Sequence, residues 1–168
     1  MTVEMELVGV RVDMPSNTPV LLLREQEGDR RLLAIMIGGP EAQAIAFALD
    51  GVETRRPMTH DLITTLIDEL GAHIDHIIIS ALRDDIFYAD LVLSTEEDTR
   101  VVSARPSDAM AIAVRVGTPV YAEEAVLAEV GYIEEDEDDD EDDDRNPEEV
   151  VEEFREFIDQ VNPEDFAS

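Results

Sequence analysis

The chain has 168 residues and contains no cysteine, no tryptophan and no lysine. Without cysteine there is no disulfide framework and no thiolate chemistry, a composition that suits a reducing cytoplasm. Aromatic residues make up only 5%, which leaves poor stacking platforms for single-stranded nucleic acid. No apolar run approaches the roughly 20 residues needed to cross a bilayer. Glu4 and Glu6 alternate with apolar residues where a signal or transit peptide would carry basic charge. These absences predict a soluble cytoplasmic protein with no membrane association. Also missing are a Walker loop, a dinucleotide fingerprint, the residue order of a Ser-His-Asp hydrolase, paired zinc ligands and an RNA-binding aromatic motif.

Negative charge is in excess: 42 acidic residues face 12 basic ones for a net of −30, and every basic residue is arginine. Residues 1–133 hold 23 acids and 10 arginines (23 − 10, a net of −13), and residues 134–168 hold 19 acids and 2 arginines (a net of −17). Such a balance fits high internal salt, or a GC-rich genome that favours arginine codons. It is the opposite of a basic nucleic-acid footprint, so any contact with phosphate must rest on local arginines or a divalent ion.

The length and the charge step predict one domain over 1–133, an acidic disordered linker over 134–146 and an amphipathic helix over 147–162. From Glu134 to Asp144 every residue is acidic, a run that cannot pack. Asn146 and Pro147 then form a helix start. Val150, Val151, Phe154, Phe157, Ile158 and Val161 share one face, which suits docking on a protein partner.

Within the domain, apolar residues alternate at Val3, Met5 and Leu7, then change phase beside Gly9 to Val8, Val10 and Val12, the signature of a bulged or bent strand. Val20–Leu23 and Arg31–Ile37 follow as strands around the turn Glu27-Gly28-Asp29. Ile74–Leu82, Ile86–Ser94 and Arg100–Ser103 form a second set, giving six strands and four helices. Two helices carry alternating alanines (Ala42 to Ala48 and Ala109 to Ala113) that allow close approach of neighbours. Leu62, Ile63, Leu66, Ile67 and Leu70 form a broad apolar stripe ended by Gly71, and Ala125 to Val130 a shorter one. Pro40 to Gly51 and Pro106 to Gly117 span equal intervals, which points to an internal repeat.

Two charged turns open helices in this scheme. In Thr59-His60-Asp61, Thr59 and Asp61 suit an N-cap and the helix dipole. His60 has no capping role and can serve as a general base or a metal ligand. In Arg105-Pro106-Ser107-Asp108, Pro106 and Asp108 suit the first turn. Arg105 is a cation where the dipole disfavours one, so it pairs either with a carboxylate of the protein or with an external phosphate. Arg55-Arg56 is the densest positive spot, read either as a solvated loop or as a phosphate contact. Glu41 reads as a first-turn acid and Arg115 as a C-terminal dipole partner. His73, Asp75 and His76 cannot converge on a metal from a strand. Tyr88 reads as a core ring, and Asp90 as the buried partner of an arginine.

Three blocks, Arg56-Pro-Met-Thr-His-Asp-Leu62, Asp85-Ile-Phe-Tyr-Ala-Asp-Leu91 and Ala104-Arg-Pro-Ser-Asp-Ala-Met-Ala-Ile-Ala-Val-Arg115, resemble in order and spacing the signature blocks of the bifunctional nuclease domain family. The similarity covers roughly residues 3–133. The resemblance implies an α+β fold of two β-β-β-α-α repeats sharing one barrel-like sheet, activity on DNA and RNA, and a homodimer or higher homo-oligomer. It supplies no catalytic template, so the site rests on the residues themselves. His60, Asp61, Arg105 and Asp108 are the candidate catalytic groups, and Arg56 and Ser107 the candidate substrate contacts. Mg²⁺ or Mn²⁺ is the assisting ion, with its ligands unassigned. The alternative is a non-enzymatic interaction or regulatory module whose acidic tail recruits a partner.

Overall fold

The computed structural model describes residues 1–134. Apart from Glu134, the expected linker over 134–146 and the expected helix over 147–162 lie outside the described residues. The chain runs β1 (Thr2–Asp13), β2 (Thr18–Glu25), β3 (Leu32–Met36), α1 (Gly39–Leu49), α2 (Thr59–Glu69), β4 (His73–Arg83), β5 (Ile86–Ser94), β6 (Thr99–Ala104), α3 (Pro106–Val116), β7 (Val120–Glu123) and α4 (Glu124–Val130). None of these helices is long and apolar enough to cross a membrane.

Local sequence accounts for most of these elements. The phase change in β1 is a bulge: its register against β2 shifts between Leu7 and Gly9, and Gly9 takes φ 149°. β4 and β5 join through Asp84 and Asp85 at φ 49° and 60°, the left-handed pair that a tight hairpin needs. The apolar stripe of α2 divides, with Ile63 packing on the core while Leu62, Leu66 and Leu70 stay exposed. Tyr88 is not a core ring; its exposed face carries the Arg83 guanidinium 5.3 Å above it. Asp90 is half-buried opposite Ser103 on β6 rather than sealed against an arginine.

The barrel-like sheet of six strands implied by the resemblance is not formed. Seven strands lie in the order β3-β2-β1-β7-β4-β5-β6, an open mixed sheet with β3 and β6 at its edges. The extra strand, β7, explains the difference. Val120 pairs antiparallel with Met5 of β1 and parallel with Ile77 of β4. β7 therefore joins the two antiparallel meanders at the centre and leaves their outer strands unpaired with each other. It also makes the second half β-β-β-α-β-α rather than β-β-β-α-α. The core lies where Leu21, Leu23, Leu33, Ile77 and Ile79 meet Ala44, Ile45, Met110 and Ile112 of α1 and α3.

An ion-pair cluster around the buried Glu25 fastens α4 to the β2–β3 hairpin. Glu25 is buried, and its carboxylate accepts from the Arg31 backbone N–H at 2.8 Å and from Arg31 Nε and Nη2 at 2.9 and 2.6 Å. The same guanidinium donates to Glu124 at the start of α4 at 3.0 and 2.9 Å. Leu32 and Tyr132 exchange backbone hydrogen bonds beside it. Arg31 holds the Glu25 carboxyl below the usual range although burial pulls it up. A lowered folded-state pKa contributes stability above the ordinary carboxylate range and loses it as pH falls through the lowered value. Glu25→Gln should therefore cost about 3 kcal/mol at neutral pH and make acid unfolding shallower. Urea titrations between about pH 3 and 7 test this, and equal losses for parent and variant at every pH would contradict it.

Candidate active site

The N-termini of α1, α2 and α3 converge on one side of the sheet. Gly38-Gly39-Pro40 starts α1 and places Glu41 in its first turn. Met58, not Thr59, is the N-cap of α2, with Thr59 in its first position and Asp61 in its third. Asp61 Oδ2 accepts the Met58 N–H at 2.9 Å, one half of a capping box. Arg105 is the N-cap of α3, and Pro106 needs no partner for the N–H it lacks.

His60 and Asp108 meet across 48 residues of sequence, with Nε2 of the buried imidazole 3.0 Å from Asp108 Oδ1. The other Asp108 oxygen accepts from Arg105 Nε at 2.8 Å, and Arg105 Nη2 reaches Glu41 Oε1 at 2.8 Å. These two carboxylates raise the Arg105 pKa, Asp108 first. The Arg105 side chain is still 66% exposed, and its Nη1 donates to no partner among the described residues. His60, Asp108, Arg105 and Glu41 line one cleft of about 650 Å³, together with Met58, Thr59 and residues of β5 and β6. The two charged turns thus share a site, and Arg105 adopts an ion pair with one N–H group left open.

The remaining candidates lie differently. Asp61 does not line the cleft; its Oδ1 accepts from Arg115 Nε at 2.5 Å. Arg115 and the Met58 N–H hold its carboxyl below the usual range. Ser107 is buried on the other side of α3's first turn. Arg56 is exposed in the loop before α2, two residues from the cleft-lining Met58.

Arg115 and Glu41 carry more of the site than their sequence context suggests. Arg115 Nη1 donates to the carbonyls of Ala44 in α1 and Ala111 in α3, at 3.0 and 2.7 Å. It is a clamp between helices as well as a charge at a helix end. The signal for Glu41 was the equal spacing of the two Pro-to-Gly intervals, which places it opposite Ser107 and beside Asp108. Among the described residues no three His, Asp or Glu side chains form a metal-binding cluster. The near-candidates are already engaged: Asp61 by Arg115, Asp108 by His60 and Arg105, and Glu41 by Arg105. The described residues do not fit a divalent-ion site.

The sequence profile of the bifunctional nuclease domain matches residues 21–135. This chain belongs to the bifunctional nuclease domain family. An uncharacterized protein of Mycobacterium tuberculosis (strain H37Rv) is 52% identical over 165 residues, 98% of each chain. Bifunctional nuclease 2 of Oryza sativa subsp. japonica is 26% identical over 115 residues, 67% of this chain and 35% of that protein. Bifunctional nuclease 2 of Arabidopsis thaliana is 25% identical over 113 residues, 64% of this chain and 34% of that protein. The match to these two nucleases thus spans about a third of their length. Family membership associates the domain with nucleases. The geometry above identifies the groups available to this member.

Proposed function

We propose that the chain is a phosphodiester-cleaving hydrolase acting on DNA and RNA in the cytoplasm, with its reaction centre in the cleft between the first turns of α1, α2 and α3. The observation that carries this reading is the His60–Asp108–Arg105 linkage. With its Nε2 proton donated to Asp108, the His60 ring keeps a lone pair on Nδ1, which has no partner among the described residues. A water beside that nitrogen loses its proton as it attacks phosphorus, and Asp108 stabilises the imidazolium that forms. Arg105 Nη1 lies at the same cleft and balances the charge that develops on the phosphoryl oxygens. The imidazolium then returns its proton to the leaving oxygen. Water as the nucleophile requires no 2′-hydroxyl, which accommodates both DNA and RNA. Asp61 serves as a positioning residue that fixes α2 through Arg115, and exposed Arg56 guides the flanking phosphate. For the assisting Mg²⁺ or Mn²⁺ the described donors offer no site, and no step is assigned to it.

The exposed Leu62, Leu66 and Leu70 recur every fourth residue on the outer face of α2, and β6 is an edge strand with exposed Val101 and Val102. We propose that a second copy covers this surface in a homodimer. Light scattering at micromolar concentration should return the dimer mass for the parent and the monomer mass for Leu66→Glu. A monomeric parent would overturn the dimer.

The hydrolytic reading is tested on single-stranded DNA and RNA with full-length protein, in Mg²⁺, in Mn²⁺ and in EDTA. His60→Ala should lower kcat/KM by about 10²- to 10⁴-fold, and Arg105→Ala by about 10²- to 10³-fold. Equal cleavage by parent and both variants would assign the activity to a contaminant and remove this site.

A further inference from the structure

A second concavity opens on the opposite side of Arg105. It measures about 640 Å³ and lies between the β3 edge, the β4–β5 hairpin and the first turn of α3. It occupies the gap beside the β3 edge, which has no strand partner beyond the Leu32–Tyr132 bridge among the described residues. Its walls are largely apolar, with Ile35 and Ile37 on one side and Ile86 and Phe87 on the other, and Asp85 is its acidic lining residue.

The floor of the groove is polar. Ser107, in the second position of the 11-residue helix α3, is 6% exposed and lines the groove. Its hydroxyl has no hydrogen-bond partner among the described residues. Every fully sealed side-chain polar atom among them is satisfied, so the hydroxyl must present its surface to this space. The backbone N–H groups of Ser107 and Asp108 belong to the open first turn of the helix, and Pro106 contributes none. A buried hydroxyl and two first-turn amides form a donor set for a phosphate, aided by the helix dipole. The volume falls within the range of small-molecule pockets.

We propose that this groove binds one nucleotide of the substrate. Its phosphate sits on Ser107 and the start of α3, and its base lies against Ile86 and Phe87, where the Asp85 carboxylate can accept from a base N–H. The assignment rests on the hydrolytic reading in one respect: the nucleotide held here adjoins the bond cleaved on the other side of Arg105. Arg105, which lines both spaces, sets the distance between them.

The test is a calorimetric titration of the full-length protein with adenosine 5′-monophosphate, inorganic phosphate and adenosine. Amide NMR shifts locate whatever binds. The monophosphate should bind with a dissociation constant at or below about 1 mM, at least about tenfold more tightly than either fragment, and should move the Ser107 and Asp108 amides. Ser107→Ala should weaken it about tenfold, the loss of one hydrogen bond to a charged group. Ile86→Glu, at an exposed wall position where a carboxylate cannot disturb the core, should weaken it at least as much. Phosphate binding as tightly as the monophosphate would overturn the base site, and adenosine doing so would overturn the phosphate site. The absence of saturable binding, or binding indifferent to both variants, would overturn the groove altogether. No bond is cleaved in the titration, so the two readings separate. Cleavage without monophosphate binding removes the groove and leaves the hydrolase, and the reverse result removes the hydrolase.

Discussion

Arg115, in the last turn of α3, donates hydrogen bonds to three helices: to Asp61 in α2, to the Ala44 carbonyl in α1 and to the Ala111 carbonyl in its own helix. A guanidinium suits this junction because its planar fork holds several donors in fixed directions, which an ammonium does not. The alanine faces of α1 and α3 matter for the same reason. Ala44 and Ala111 are buried, and side chains of that size let two helix backbones approach closely enough for one arginine to reach both. Once Arg115 fixes the three helices, their N-termini bring together Glu41, His60, Arg105 and Asp108, which come from turns far apart in sequence. The Asp61 carboxyl, held low by Arg115 and the Met58 amide, contributes to this arrangement above the ordinary carboxylate range. Its share fades as pH falls through the lowered value.

The open sheet serves the same end. A closed barrel would have paired the outer strands and filled the space beside β3. With β7 joining the meanders at the centre, the β3 edge has no strand partner beyond the Leu32–Tyr132 bridge among the described residues, and the first turn of α3 faces a groove on one side and the helix cleft on the other. Arg105 stands between them. Its two carboxylate partners restrain it without enclosing it, since the side chain stays largely exposed.

Much of this was legible in the chain. The phase change at Gly9, the alanine helices and the two charged turns all have local causes that leave a mark in the sequence. The division of α2 into an inward Ile63 and an outward Leu62–Leu66–Leu70 stripe was not legible, because periodicity shows a stripe and not what covers it. β7 escaped because it is a four-residue strand: its pairing with β1 and β4 comes from distant contacts, and so short a run has no reliable period. Without it the expected sheet is one strand short, and the expected closure rested on the family resemblance. The roles of Arg115 and Glu41 escaped for a related reason. Each has an adequate local explanation in the helix dipole, and only the packing of three helices adds the bonds to Asp61, Ala44 and Arg105.

In the proposed mechanism the helix clamp at Arg115 holds His60 against Asp108 with its proton on Nε2, leaving Nδ1 as the base. Long-range ¹H–¹⁵N correlation spectra of the three imidazoles, in the parent and in Arg115→Met, measure this directly at neutral pH. The account predicts a single His60 tautomer protonated on Nε2 in the parent. In the variant, His60 should move toward the averaged pattern of exposed His73. A parent His60 that already averages like His73, or an Arg115→Met spectrum with the His60 tautomer unchanged, would contradict it.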